Sequence, residues 1–126
     1  MKRIEVNTKT NNYNIIISNN FNSLQEHLSK VGMDNKKVCI ITDDNVSKLY
    51  LDNLCNIISK ITDELSYLVI PHGEANKNLD TINTIYKKMI EEKLDRESYL
   101  IALGGGVTGD MVGYASATYM RGNKFI

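Results

Sequence analysis

Two apolar runs held apart by a cluster of glycines constrain this chain more than any other feature. The first run is Tyr99-Leu100-Ile101-Ala102-Leu103, and the second extends from Met111 to Met120. Between them stand Gly104, Gly105, Gly106, Val107, Thr108, Gly109 and Asp110. A short aliphatic run, then glycines, then a longer helix-compatible run predicts a strand feeding a helix through a tight loop. Gly104, Gly106 and Gly109 fit the spacing G-x-G-x-x-G. Without a Cβ they let the backbone turn sharply and approach a ligand closely. The N-terminus of the following helix offers free N–H groups and the positive end of its dipole, which suits a phosphate or pyrophosphate. The same glycines would also serve a plain turn between two buried elements, so the rest of the chain has to decide.

Upstream, strand-like and helix-like stretches alternate. Ile4-Glu5-Val6 and Tyr13 to Ile17 are extended runs separated by the polar stretch 7–12, a β-hairpin pattern. Phe21, Leu24, Leu28 and Val31 mark one face of a short helix that Gly32 ends. Lys37 to Thr42 reads as a buried strand, followed by Asp43-Asp44-Asn45. Val46, Leu49, Tyr50, Leu54, Ile57, Ile58 and Ile61 line one side of the next helix. A strand over 67–70 runs into the loop Pro71-His72-Gly73-Glu74-Ala75-Asn76-Lys77, and Leu79, Ile82, Ile85, Tyr86, Met89 and Ile90 mark a helix ending near Leu94. This alternation predicts an α/β fold, a Rossmann-like parallel sheet with flanking helices preceded by an N-terminal β-hairpin. In such sheets ligands bind beyond the carboxyl ends of the strands. The segments expected there are 42–45, 71–77 and 104–110, all rich in Asp, Asn, Glu, Lys or Gly.

Composition narrows the classes of function. The 126 residues suffice for one domain with a real core. Fifteen basic and fifteen acidic residues cancel, so no charge surplus argues for nucleic acid or an anionic membrane. No apolar stretch is long enough to span a bilayer, and Met1 to Glu5 lack a signal-peptide core. Cys39 and Cys55 lie in apolar runs and read as small buried or half-buried hydrophobes rather than a disulfide framework. A cytoplasmic setting is the expectation. The chain closes on Phe125 and Ile126 just after a turn-like Gly122-Asn123, which leads us to expect a piece of a larger protein.

Several side chains could carry chemistry. The usual dinucleotide fingerprint lies on the first strand, with an acid about twenty residues later for the ribose; here the glycines follow a late strand. Asp43, at the end of an earlier strand, could accept from a diol instead, or could cap the helix that follows. Asp43 and Asn45 admit both readings, and capping is favoured for Asp44. Glu74 and Lys77 share a surface loop, where solvated charges are the plain alternative. Asp110 at a helix start is explained by the dipole alone. His72 reads as a loop histidine and His27 as a helix residue, with no third metal ligand at a recognisable spacing. Arg121 and Lys124 could hold a phosphate monoester or simply be solvated. No Ser/His/Asp or Cys/His nucleophilic set assembles.

The stretch from Ile101 to Gly122 closely resembles the signature of the 3-dehydroquinate synthase family. Residues 71–77 resemble its P-x-G-E-x-x-K element, and residues 42–46 its T-D-x-N-[VI] element, in the family's order. His72 departs from the aspartate often found at its position, and Thr108 fills a position usually aliphatic. The resemblance implies an N-terminal domain that binds NAD. Asp43 and Asn45 would meet the adenosine side. Residues His72, Gly73, Glu74, Ala75, Asn76 and Lys77 would form the ribose-side loop, with Glu74 and Lys77 making the contacts. Gly105, Gly106, Val107, Thr108, Gly109 and Asp110 would cradle the pyrophosphate and the nicotinamide side. Arg121 matches an arginine that holds the substrate phosphate across a dimer interface.

The resemblance further implies a sugar-phosphate substrate, 3-deoxy-D-arabino-heptulosonate 7-phosphate, in the shikimate pathway of aromatic amino acid biosynthesis. The reaction is a transient oxidation by NAD, β-elimination of phosphate, re-reduction and aldol closure. A divalent zinc or cobalt ion would be held by a C-terminal helical domain that this chain lacks, so catalytic and metal-binding residues are expected elsewhere. A homodimer is expected, and the chain alone is expected to be inactive and prone to self-association. Another sugar-phosphate cyclase, such as a 2-deoxy-scyllo-inosose synthase, or a non-catalytic nucleotide-binding domain are the alternatives.

Overall fold

The computed structural model describes all residues, 1–126. Strands β1 (Lys2–Asn7) and β2 (Asn12–Ile17) form an antiparallel hairpin in which Ile4 faces Ile15 and Val6 faces Tyr13. Thr8 and Asn11 close its turn: Thr8 N–H donates to the Asn11 carbonyl at 3.0 Å, and Asn11 N–H to Thr8 Oγ1 at 2.9 Å. Helix α1 (Leu24–Lys30) leads to β3 (Val38–Asp43). A π-helical turn (Ser47–Leu51) enters α2 (Asp52–Ile58), and β4 (Leu65–Ile70) follows. Helix α3 (Leu79–Glu91), β5 (Tyr99–Leu103), α4 (Gly106–Thr118) and the short β6 (Lys124–Phe125) complete the chain.

Strands β3 to β6 make one parallel sheet in the order β4-β3-β5-β6. The two central strands are buried on both faces, which is why Val38 to Ile41 and Leu100 to Ile101 read as continuous aliphatic runs. Alternation splits them between two cores. Val38, Ile40, Tyr99 and Ile101 pack with Leu28, Leu51, Leu54 and Ile58 beneath α1 and α2. Cys39, Ile41 and Leu100 pack with Ile82, Ile85, Met89, Met111, Val112 and Ala115 beneath α3 and α4. Each buried Val, Leu, Ile or Met side chain among them stabilises the fold by roughly 1.5–3 kcal/mol. Helix α3 starts where Asn78 Oδ1 accepts the Thr81 N–H at 3.0 Å, a side-chain cap.

Three expectations from periodicity need correction. The face predicted over 46–61 includes Leu49 and Tyr50, yet Leu49 is 71% exposed, while Leu51, absent from that pattern, is buried. The π turn holds five residues where an α turn holds fewer, so it rotates the phase of everything before it relative to α2. In α1 and α3 the members Val31, Leu79 and Ile90 lie exposed, at or just beyond the ends of their helices. The glycine loop is also shorter than the motif suggests. Helix α4 already begins at Gly106, so Gly106 and Gly109 are helical and only Gly104 and Gly105 form the turn.

Candidate functional site

The sheet order places β3 beside β5, with β4 on the outer side of β3. The chain thus leaves β3 toward one side of the sheet and later crosses to the other. The crevice at that switch lies between the segments after β3 and β5. This resolves the odd position of the glycines. They follow a late strand in sequence, but that strand lies next to the first strand of the parallel sheet.

The β5 side of the crevice is a helix end with nothing above it. A Cβ on Gly105 or Gly106 would meet no atom within 4 Å. The first helical hydrogen bond runs from Gly109 N–H to the Gly105 carbonyl at 3.0 Å, so the N–H groups of Gly106, Val107 and Thr108 precede it and point out of the helix end. Gly104 has a different task. A Cβ there would stand 2.9 Å from Thr108 Oγ1, because the buried Thr108 side chain packs directly under the turn. Thr108 therefore shapes the loop from below while its main chain faces the crevice.

On the β3 side, Asp43 Oδ1 accepts from Asn45 N–H and Val46 N–H, both at 2.8 Å. Asp43 is thus the residue that caps the turn, while its second oxygen remains available. The favoured capping role for Asp44 does not hold. Asp44 Oδ1 instead accepts from His72 N–H at 3.1 Å and pairs with His72 Nδ1 at 2.6 Å, tying the β3 loop to the β4 loop. That bond holds the Asp44 carboxyl below the usual aspartate range. The link spans 28 residues, and the departure of His72 from the familiar aspartate was its only trace in the sequence. Asn45 is exposed and its side-chain amide meets no partner in the chain.

The β4 loop closes the group. Gly73 takes φ +94°, a conformation that favours glycine, and starts the 3-10 turn Glu74–Asn76. Asn76 Nδ2 donates to the His72 carbonyl at 2.8 Å, which braces the turn around Ala75. Lys77 Nζ donates to Asp110 Oδ2 at 2.7 Å and joins this loop to the first turns of α4. That carboxylate, with Glu74 nearby, holds the Lys77 ammonium above its ordinary range. The three segments expected at the strand ends are therefore laced together by the Asp44–His72 hydrogen bond and the exposed Lys77–Asp110 ion pair.

Arg121 stands apart. The 13 residues of α4 place it about 20 Å from the glycine turn. Met120, Arg121 and Gly122 all take positive φ, and Arg121 borders a polar hollow of about 490 Å³ with Arg96, Asn123 and Lys124. A second cleft, of about 780 Å³, was not foreseen. It lies on the α2 side, lined in part by Asn20, Phe21, Tyr50 and Asn53, and shares Val46, Leu103 and Gly104 with the crevice. No group of three or more His, Cys, Asp or Glu residues is placed to hold a metal, and no helix is long and apolar enough to cross a membrane.

Comparison with known proteins gives a consistent result. Residues 67–126 match the family model described as 3-dehydroquinate synthase N-terminal. The whole chain aligns at 41% identity with the 3-dehydroquinate synthases of Ruminiclostridium cellulolyticum and Acetivibrio thermocellus, covering 35% of each. With the enzyme of Neisseria gonorrhoeae the identity is 40%, again over 35% of that protein. The chain thus spans about a third of the length of the curated relatives it matches. Among solved structures, a 2-deoxy-scyllo-inosose synthase superposes with a TM-score of 0.86 at 20% identity, over 98% of this chain and 35% of that one. A 2-epi-5-epi-valiolone synthase with NAD+ and Zn2+ bound, from Streptomyces hygroscopicus, gives 0.66 at 24% identity, over 81% and 29%. These structures share the fold.

Proposed function

By sequence the chain belongs with the 3-dehydroquinate synthases, matching their N-terminal part, and on that premise we propose that it is the nucleotide-binding part of such an enzyme. NAD would lie across the crevice between β3 and β5. The observation that carries this reading is the open cradle over Gly105 and Gly106, set on a helix N-terminus beside the free oxygen of Asp43. The residues fit the group. The N–H groups of Gly106, Val107 and Thr108 suit a pyrophosphate, and Asp43 Oδ2 and the Asn45 amide suit the adenosine hydroxyls. Glu74, exposed and without a partner in the chain, suits a ribose diol. Lys77 stays protonated beside Asp110 and offers its positive charge to the phosphate region.

NAD, when bound, supplies hydride acceptance and return at a carbinol carbon. The chain's own part is orientation: the dipole and free N–H groups of α4 offset the pyrophosphate charge, and the loops 71–77 and 43–46 fix the two ends. A related 2-deoxy-scyllo-inosose synthase has been solved with carbaglucose-6-phosphate, NAD+ and Co2+. A metal in such an enzyme would need ligands that this chain does not bring together. The substrate we favour is the heptulosonate phosphate of the named relatives. Arg121 lies beyond the far end of α4, and the family resemblance assigns it to the substrate phosphate held by a second copy in a homodimer.

Calorimetric titration of the chain with NAD is the test. We expect weak binding, with heat detectable at millimolar NAD, because the chain spans only about a third of the length of its relatives. No heat at that concentration overturns the nucleotide reading. The chain alone is expected to release no phosphate from the heptulosonate phosphate; measurable release would show that the part of the relatives this chain does not span is dispensable for that step.

A further inference from the structure

Charges do not balance in the three segments at the strand ends, 42–45, 71–77 and 104–110. Asp43, Asp44, Glu74 and Asp110 are acidic, whereas Lys77 is the only lysine or arginine among them. Its ammonium is already taken up by Asp110 Oδ2 at 2.7 Å. The pyrophosphate of a dinucleotide brings further negative charge. His72 is the one other residue of these segments that can become positive. It stands where an aspartate would add a fifth carboxylate.

Geometry makes His72 a junction. Its main-chain N–H donates to Asp44 Oδ1 at 3.1 Å, and its Nδ1 lies 2.6 Å from the same oxygen. Its carbonyl accepts from Asn76 Nδ2 at 2.8 Å, which holds the turn that carries Glu74. Asp44 N–H in turn donates to the Ile70 carbonyl at 3.1 Å. The imidazole thus joins the loop of Asp43 to the loop of Glu74. Both partners meet solvent, with the His72 side chain 57% and that of Asp44 49% exposed. An imidazole so placed exchanges its proton with bulk water, and imidazole is the side chain whose charge ordinarily changes between about pH 5 and 8.

We propose that His72 is a positioning residue whose protonation sets the affinity of the crevice for NAD. Protonated, it compensates Asp44 and ties the loops after β3 and β4 through a charge-assisted hydrogen bond. Neutral, it leaves the Asp44 carboxylate uncompensated beside Asp43 and Glu74, in a site that has to hold a pyrophosphate. NAD affinity therefore falls as pH rises through the imidazole range. One unit charge acting across a solvated site corresponds to a change of about 3- to 10-fold. The proposal rests on the nucleotide reading above and adds a regulation to it.

Calorimetric NAD titrations across about pH 5.5 to 8 decide it. NAD suits the test because its diester pyrophosphate does not titrate in that interval. The wild type should bind more weakly at the alkaline end by the factor above. His27, the only other histidine, lies on α1, and His27→Gln should keep the slope. His72→Gln, always neutral, should bind weakly at every pH. His72→Lys, always positive, should hold the acid-side affinity of the wild type throughout. Together the two variants separate charge from a merely structural role, because neither keeps the imidazole and they are expected to differ. A flat wild-type profile overturns the proposal and leaves the nucleotide reading standing, as does a slope that survives in His72→Gln or equal affinities of His72→Gln and His72→Lys. Absence of NAD heat at every pH, in the wild type and in His72→Lys alike, overturns the nucleotide reading and this proposal with it.

Discussion

Single residues at the β5 turn divide the work between fold and ligand. Gly104 is required by what lies beneath it. A methyl group there would press on Thr108 Oγ1, and the Thr108 side chain is buried. Gly104→Ala should therefore cost about 1–3 kcal/mol in urea unfolding. Gly106 faces open space at the first position of α4. There an alanine lowers the entropy lost on folding, and Gly106→Ala should stabilise the chain by about 0.5–1 kcal/mol. The same methyl stands in the cradle, so calorimetric NAD affinity should fall several-fold. Opposite signs for stability and binding at neighbouring glycines would be hard to obtain from a plain turn. Equal destabilisation by both substitutions would remove the distinction.

At the scale of elements, the entry to α2 shows how local winding overrides a sequence stripe. The spacing of Val46, Leu49, Leu54 and Ile57 looks like one helical face, but the π turn over Ser47–Leu51 shifts the phase. Leu51 enters the core with Leu54 and Ile58, and Leu49 faces solvent. Leu51→Ala should cost about 2–5 kcal/mol, as large-to-small core changes do. Leu49→Ala should stay within about 0.5 kcal/mol, the usual range for an exposed site. Chemical denaturation of the two variants measures both. The inverse result would mean that α2 enters as a regular α-helix.

Across the whole molecule, the crevice is organised by links between distant loops rather than by any one motif. Asp44 joins the β3 loop to His72 after β4, and Lys77 joins that loop to Asp110 on α4. The Asp44 carboxyl is held below its ordinary value mainly by its bond to His72. Its stabilising contribution is then fully present above the unfolded aspartate value of about 3.9, and it is lost as pH falls through the lower folded value. Asp44→Asn should remove that part of the acid-side slope of stability and leave neutral-pH cooperativity intact, as followed by urea midpoints from pH 2 to 6 (an interval chosen to bracket about 3.9). An unchanged acid slope would show that the link carries no linkage energy.

The sequence by itself determined the order and kind of the elements and the three segments that meet at the strand ends. It could do so because buried parallel strands require aliphatic runs and the loops between them require glycine, proline or polar residues. It also carried the family resemblance through the stretch from Ile101 to Gly122, which the matched relatives bear out. Only the tertiary structure decided the rest. Strand order set the glycine turn beside the Asp43 turn, although about sixty residues separate them in the chain. Local hydrogen bonds made Asp43 the cap, and one across 28 residues made Asp44 the link to His72. The burial of Thr108 beneath Gly104 and the exposure of the hairpin follow from which elements pack together. Local periodicity records which residues avoid water; which neighbour excludes that water is settled only when distant segments meet.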